Sequence, residues 1–108
     1  MTNLGKVYIA GRISGLPEKE YKANFLRGVD RARKLGVESR HIINPSKYTI
    51  DFGEWNEYMK LCLSKLLECD TIFMLEDYKE SKGAKFELLT AETLGLNVVY
   101  EGEVENEY

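Results

Sequence analysis

The stretch Asp70-Thr71-Ile72-Phe73-Met74-Leu75-Glu76-Asp77-Tyr78-Lys79-Glu80-Ser81-Lys82-Gly83-Ala84-Lys85-Phe86-Glu87 changes its hydrophobic period part-way along. Thr71 to Leu75 is β-branched, aromatic and apolar with no breaker, the pattern of a short buried strand. Beyond the polar residues, Ala84, Glu87, Leu88, Ala91 and Leu94 recur at the spacing of one helix face. A strand feeding a helix through a polar loop is the repeating unit of a parallel α/β sheet. Glu87 is the anomaly, a carboxylate on the face that should be apolar. Either it is held inside a pocket, or it sits on the stripe's edge and reaches water. Ser81 and Gly83 fall at the helix start, where free backbone N–H groups and the helix dipole favour an anion.

Working toward the amino terminus, Lys6-Val7-Tyr8-Ile9-Ala10 predicts a first strand, broken by Gly11-Arg12-Ile13-Ser14-Gly15. Two glycines around Arg12 and Ser14 let this loop's backbone approach a ligand closely. It is not a dinucleotide fingerprint, because the third glycine is missing and no helix begins inside it. A helix is expected over 18–35, entered at Pro17 and ended by Gly36, with Tyr21, Phe25, Val29 and Ala32 facing inward. Lys22, Arg27, Asp30 and Arg33 make up its solvated side. Residues 40–44 read as a second strand closed by Asn44-Pro45.

Residues 46–53, with Tyr48, Asp51 and Phe52, read as an irregular segment, a candidate lid or pocket wall. A helix over 54–68 follows, its inward stripe Trp55, Met59, Cys62 and Leu66. Asn97-Val98-Val99-Tyr100 is the last strand, so residues 1–100 form one domain and the acidic residues 101–108 a tail or arm.

Alternating strands and helices imply parallel strands with helices on both faces. The economical arrangement is a flavodoxin-like three-layer α/β sandwich with strand order 2-1-3-4. Such sheets bind ligands beyond the strands' carboxyl ends, at the switch point between strands 1 and 3. Strand 1 delivers the Gly11–Gly15 loop there, and strand 3 delivers Glu76–Gly83. Asn44, Trp55, Met59, Cys62 and Asp77 are the expected pocket wall.

The chain's 108 residues suffice for one modest core, and 44% hydrophobic with 31% charged residues is a globular composition. A net charge of −3 argues against duplex nucleic acid, whose phosphates need clustered Lys and Arg. No apolar run has the length of a membrane span. Cys62 and Cys69 lack metal-ligand spacing and read as reduced, buried thiols of a cytoplasmic protein. His41, the single histidine, stands at a strand start and is expected to be structural, so neither a zinc site nor a histidine triad is foreseen. No metal and no cofactor is expected.

Val7 to Gly15, Ile43-Asn44-Pro45, Trp55, Tyr58-Met59, Leu66 to Asp70 and Ser81-x-Gly83-Ala84-x-x-Glu87 together resemble the nucleoside 2-deoxyribosyltransferase superfamily. The similarity runs over residues 6–100 and is nearest to a branch of small phage and bacterial proteins. The superfamily also includes the deoxynucleoside 5′-monophosphate N-glycosidases. The resemblance implies a small-molecule nucleoside or nucleotide as substrate, with Glu87 attacking the sugar's anomeric carbon as the base leaves. Transfer to another base or to water would follow, with Tyr8 orienting the carboxylate; read from the residues alone, the alternative for Tyr8 is a core tyrosine. Gly11, Arg12, Ile13, Ser14 and Gly15, joined by Ser81 and Gly83, would hold the sugar's 5′ end or its phosphate. The resemblance also implies a homodimer or higher homo-oligomer in a bacterial or phage-infected cytoplasm.

One departure stands out. The superfamily's usual aspartate on the helix before the Cys-Asp pair is Cys62 here. A thiol cannot supply that carboxylate's charge, so a nucleotide-sequestering protein with little or no turnover is the alternative expectation.

Overall fold

The structure is a computed structural model that describes residues 3–51 and 53–104. Its strands are β1 (Val7–Ala10), β2 (Ile42–Ile43), β3 (Thr71–Met74) and β4 (Asn97–Tyr100), and its helices are α1 (Glu18–Lys34), α2 (Trp55–Leu66), α3 (Lys82–Thr93) and α4 (Glu101–Val104). All strand pairs are parallel, in the order β2-β1-β3-β4. This is the flavodoxin-like α/β arrangement expected from the alternation of strand and helix.

The pleat assigns each strand residue to a face. Val7, Ile9, Phe73 and Leu75 join Phe25 and Ala32 of α1, with Val104 of α4, in one core cluster. Tyr8, Ala10, Ile72 and Met74 join Cys62 and Leu66 of α2, with Ala84 and Ala91 of α3, in the other. β1 and β3 are buried along their whole length, as central parallel strands must be. This alternation puts Tyr8 on the sheet face that α3 covers. Among the described residues no helix is long and apolar enough to cross a membrane.

Helix ends follow local chemistry. Gly36, at φ +101, lets Val37 N–H return to Ala32 O at 3.3 Å, closing α1 where the sequence predicts. At the start of α3, Ser81 Oγ accepts from Ala84 N–H at 3.0 Å, an N-cap.

Several expectations differ from what is seen. The second strand is only Ile42–Ile43, because Ser39–His41 forms a 3-10 turn. The segment read as irregular is a 3-10 helix over Pro45–Asp51, seeded by the Asn44 side chain, which accepts from Ser46 N–H and Oγ–H. Phe52 lies outside the described residues. Leu94 is 55% exposed rather than part of the inward stripe, since α3 ends at Thr93 and Leu94 is its cap.

The acidic tail begins as α4, with Glu101 and Val104 buried; residues 105–108 lie outside the described ones. Arg27 is accordingly not idle on a solvated face. Its Nε and Nη2 donate to Glu101 at 2.7 and 3.1 Å, and Arg31 Nη1 adds a third bond at 2.7 Å.

Candidate active site

Glu87 is 5% exposed, one turn into α3, and faces the sheet. Tyr8 is fully buried and its hydroxyl donates to Glu87 Oε2 at 2.5 Å, joining two residues 79 positions apart. Burial pushes the Glu87 carboxyl up from the usual 4.5 to about 7, although the Tyr8 hydrogen bond works against the rise. The Tyr8 hydroxyl is itself raised well above its ordinary value, by burial first and then by the neighbouring carboxylate. The phenol therefore stays protonated and donates, while Glu87 is divided between its two forms near neutral pH. Oε2 accepts from the phenol, which fixes the orientation of the carboxylate.

Glu87 lines a hollow of about 50 Å³ at the switch point between β1 and β3. Tyr8, Gly11, Ile13 and Ser14 form the β1 side, and Ser81 and Gly83 the start of α3. Trp55, Tyr58 and Met59 of α2 close it from above, with Pro45 beside them. Met59 leans on Gly83: a Cβ there would stand 3.0 Å from the Met59 sulfur, so a larger residue would push Met59 aside. The Lys82 ammonium sits 4.8 Å from the centre of the Trp55 ring, a cation–π contact on the outer side of the wall.

The residues expected at the site divide into two groups. Glu87, Tyr8, Gly11, Ile13, Ser14, Ser81, Gly83, Trp55 and Met59 meet around the hollow. Arg12, Gly15, Asn44, Cys62 and Asp77 are absent from its wall among the described residues. Arg12 folds back over its own loop, and Gly15, at φ +86, provides the turn beneath its guanidinium. Asp77 accepts from Arg12 N–H at 3.1 Å and so holds that loop from behind. Asn44 is occupied with Ser46. Cys62 is buried in the core behind the site, and burial pushes its thiol up to about 11, so it is neutral.

Tyr58 was not expected in the wall. Its hydroxyl donates to Pro45 O at 2.9 Å, tying α2 to the chain after β2. The signal was present, since Tyr58 lies three residues after Trp55 and shares its helix face.

The family model described as Domain of unknown function (DUF4406) matches residues 5–100. The chain belongs to that family. The matched range of this DUF4406 chain takes in all four strands and every residue around the hollow, and it stops just before α4. No curated protein and no solved structure matches it.

Among the described residues no three or more His, Cys, Asp or Glu side chains gather as metal ligands do. Glu87 is also the only acid in the described wall of the hollow. A half-ionised carboxylate, held by a phenol and screened from bulk water, is equipped to attack an electrophilic carbon or to take up a proton.

Proposed function

We propose that this protein cleaves or transfers the N-glycosidic bond of a (deoxy)nucleoside or its 5′-monophosphate, with Glu87 as nucleophile. The observation that carries the reading is the buried Tyr8–Glu87 pair, 2.5 Å apart at the wall of a hollow at the sheet's switch point. The resemblance to nucleoside 2-deoxyribosyltransferases supports it independently, through the motif Ser81-x-Gly83-Ala84-x-x-Glu87.

In this chemistry Glu87 Oε1 bonds to the sugar's anomeric carbon as the carbon–nitrogen bond breaks. The base leaves with the electron pair and takes a proton from solvent, for no second acid is among the described wall residues. Water or another base then displaces the carboxylate. An oxocarbenium-like transition state is stabilised by a carboxylate close to its face, as in glycoside hydrolysis. Tyr8 keeps Oε2 engaged and so directs Oε1. The glycine loop with Gly11 and Ser14, facing Ser81 and Gly83, would hold the 5′ end.

The test is direct. The full chain is incubated with each deoxynucleoside and each 5′-monophosphate, and free base is measured by chromatography. Release above that of Glu87→Ala supports the reading; release no greater than that of the variant overturns it.

One observation favours a second reading, a nucleotide-binding protein with little turnover. The neutral, buried Cys62 stands where the resembled superfamily carries an acid. General acid assistance is typically worth 10²–10⁴-fold, so its absence is felt. Calorimetry separates the two, since tight binding without product favours the binder.

A further inference from the structure

Arg12 is held at three points. Its backbone N–H donates to Asp77 Oδ1 at 3.1 Å, its Nε to Ser14 O at 3.2 Å, and its Nη1 to Glu80 Oε1 at 3.3 Å. Asp77 and Glu80 both belong to the segment between β3 and α3, so one loop grips the other through this residue. The guanidinium lies across Gly15, where an added Cβ would stand 2.8 Å from Nη2. Arg12's neighbours Gly11, Ile13 and Ser14 line the hollow, and Arg12 does not. The cation of the glycine loop is therefore turned aside and paired with a carboxylate.

We propose that Glu80 is a specificity-determining residue, competing with an anionic 5′ end for Arg12. It thereby sets how strongly the site prefers a nucleoside 5′-monophosphate to the nucleoside. The inference rests on the nucleoside reading of the hollow and adds a residue to it. The Glu80 side chain is 68% exposed and that of Arg12 29%, so their ion pair is weak, worth about fivefold at most. A phosphate carries roughly −1.5 to −2 charges and accepts two parallel bonds from a guanidinium, so it outcompetes a single carboxylate oxygen. Glu80 swings into water when displaced. Its charge stays within a Debye length of about 8 Å of the phosphate and continues to oppose it. An uncharged 5′-hydroxyl meets neither effect.

The experiment is calorimetric titration of the wild-type chain, Glu80→Gln, Arg12→Gln and the double variant. The probes are the four deoxynucleosides and their four 5′-monophosphates, at low and at raised salt. Glu80→Gln is expected to tighten monophosphate binding about three- to tenfold at low salt, less so as salt is added, and to leave nucleoside binding unchanged. In the Arg12→Gln background most of that gain disappears. Equal tightening of nucleosides and monophosphates, or a gain undiminished without Arg12, overturns the assignment of Glu80 while leaving the nucleoside reading intact. Failure of every probe to bind any of the four proteins overturns both.

Discussion

At the scale of single residues the chemistry depends on the ionisation of Glu87. Its carboxyl is raised from 4.5 to about 7, so the folded protein holds a proton there that the unfolded chain releases near 4.5. Stability from this group is therefore full below about pH 4.5 and falls as pH rises through 7. The loss is roughly 1.4 kcal/mol per unit inside the window, about 3 kcal/mol in all. Glu87→Gln keeps the shape without the charge. Its stability relative to wild type should rise between pH 5 and pH 8, read by urea denaturation at both values; an unchanged difference would contradict the raised carboxyl. Activity runs the other way, because the attacking form is the carboxylate. The kcat/KM for base release should climb about tenfold per pH unit below 7 and level off above it. Tyr8→Phe removes the hydrogen bond that holds the Glu87 carboxyl down. Its acid limb should move to higher pH and base release at neutral pH fall by about one to two orders of magnitude, since a hydrogen bond to a charged group is worth roughly 1.5–3 kcal/mol. A tyrosine serving only as core filler would leave the position of that limb where it is.

At the scale of elements, the wall that must yield is the first turn of α2. A hollow of about 50 Å³ is far below the roughly 300–1,000 Å³ of pockets that hold small ligands. On the other sides the wall is β1 with the loop after it, Pro45 and the start of α3, where Tyr8, Gly11, Pro45, Gly83 and Ala84 are buried and Ser14 stands at the open rim. Within α2, Met59, Cys62 and Leu66 are anchored in the core, while Trp55 is 39% exposed and touched from outside by Lys82. Ligand entry should therefore displace Trp55 first. Because Trp55 is the only tryptophan, its emission reports this step without a label. Adding a deoxynucleoside 5′-monophosphate should change that emission saturably, and Trp55→Ala should weaken binding about tenfold, within the range of 1–3 kcal/mol per stacked base. Steady emission alongside binding seen by calorimetry would place the opening elsewhere. How far this site could be read from sequence follows the range of the signals. Glu87 was visible as an acid on an apolar stripe, a pattern contained in a few helical turns. Its partner Tyr8 was reachable only through the pleat and the strand order, because the bond spans 79 residues. The orientation of Arg12 was not legible, because it is set by Asp77 and Glu80, 65 and 68 residues away, and no local pattern encodes that.

At the scale of the molecule, β1 and β3 were legible because they are central and buried on both faces, and an uninterrupted apolar run has few other uses. The carboxyl end of the chain was not, because its acidic composition masks a buried anchor. Glu101 has no exposed surface, accepts three bonds from Arg27 and Arg31, and takes a fourth from Glu76 N–H at 2.9 Å. This one carboxylate joins α1, the end of β4 and the start of the loop that carries Asp77 and Glu80. Burial alone would raise its pKa, but the hydrogen bond from Arg27, the Glu76 backbone and the two guanidinium charges outweigh burial and hold it below the usual range. The sign is opposite to that of Glu87. Its contribution is present above the ordinary carboxylate value of 4.5 and is lost as pH falls through its lowered folded value. Glu101→Gln leaves two partly exposed guanidinium groups facing a neutral amide, and losing hydrogen bonds to a charged group costs roughly 1.5–3 kcal/mol. The melting temperature should drop by on the order of 10 °C or more at neutral pH. The gap between variant and wild type should narrow as pH is lowered from 4.5 through that lowered value, since wild type then loses the same charge by protonation. A constant gap across that range would mean that α4 is held by Val104 packing and not by the charge on Glu101. Because Glu101 also accepts from Glu76 N–H, its loss should loosen the segment that leads to Ser81 in the wall of the hollow and reduce base release in parallel with stability.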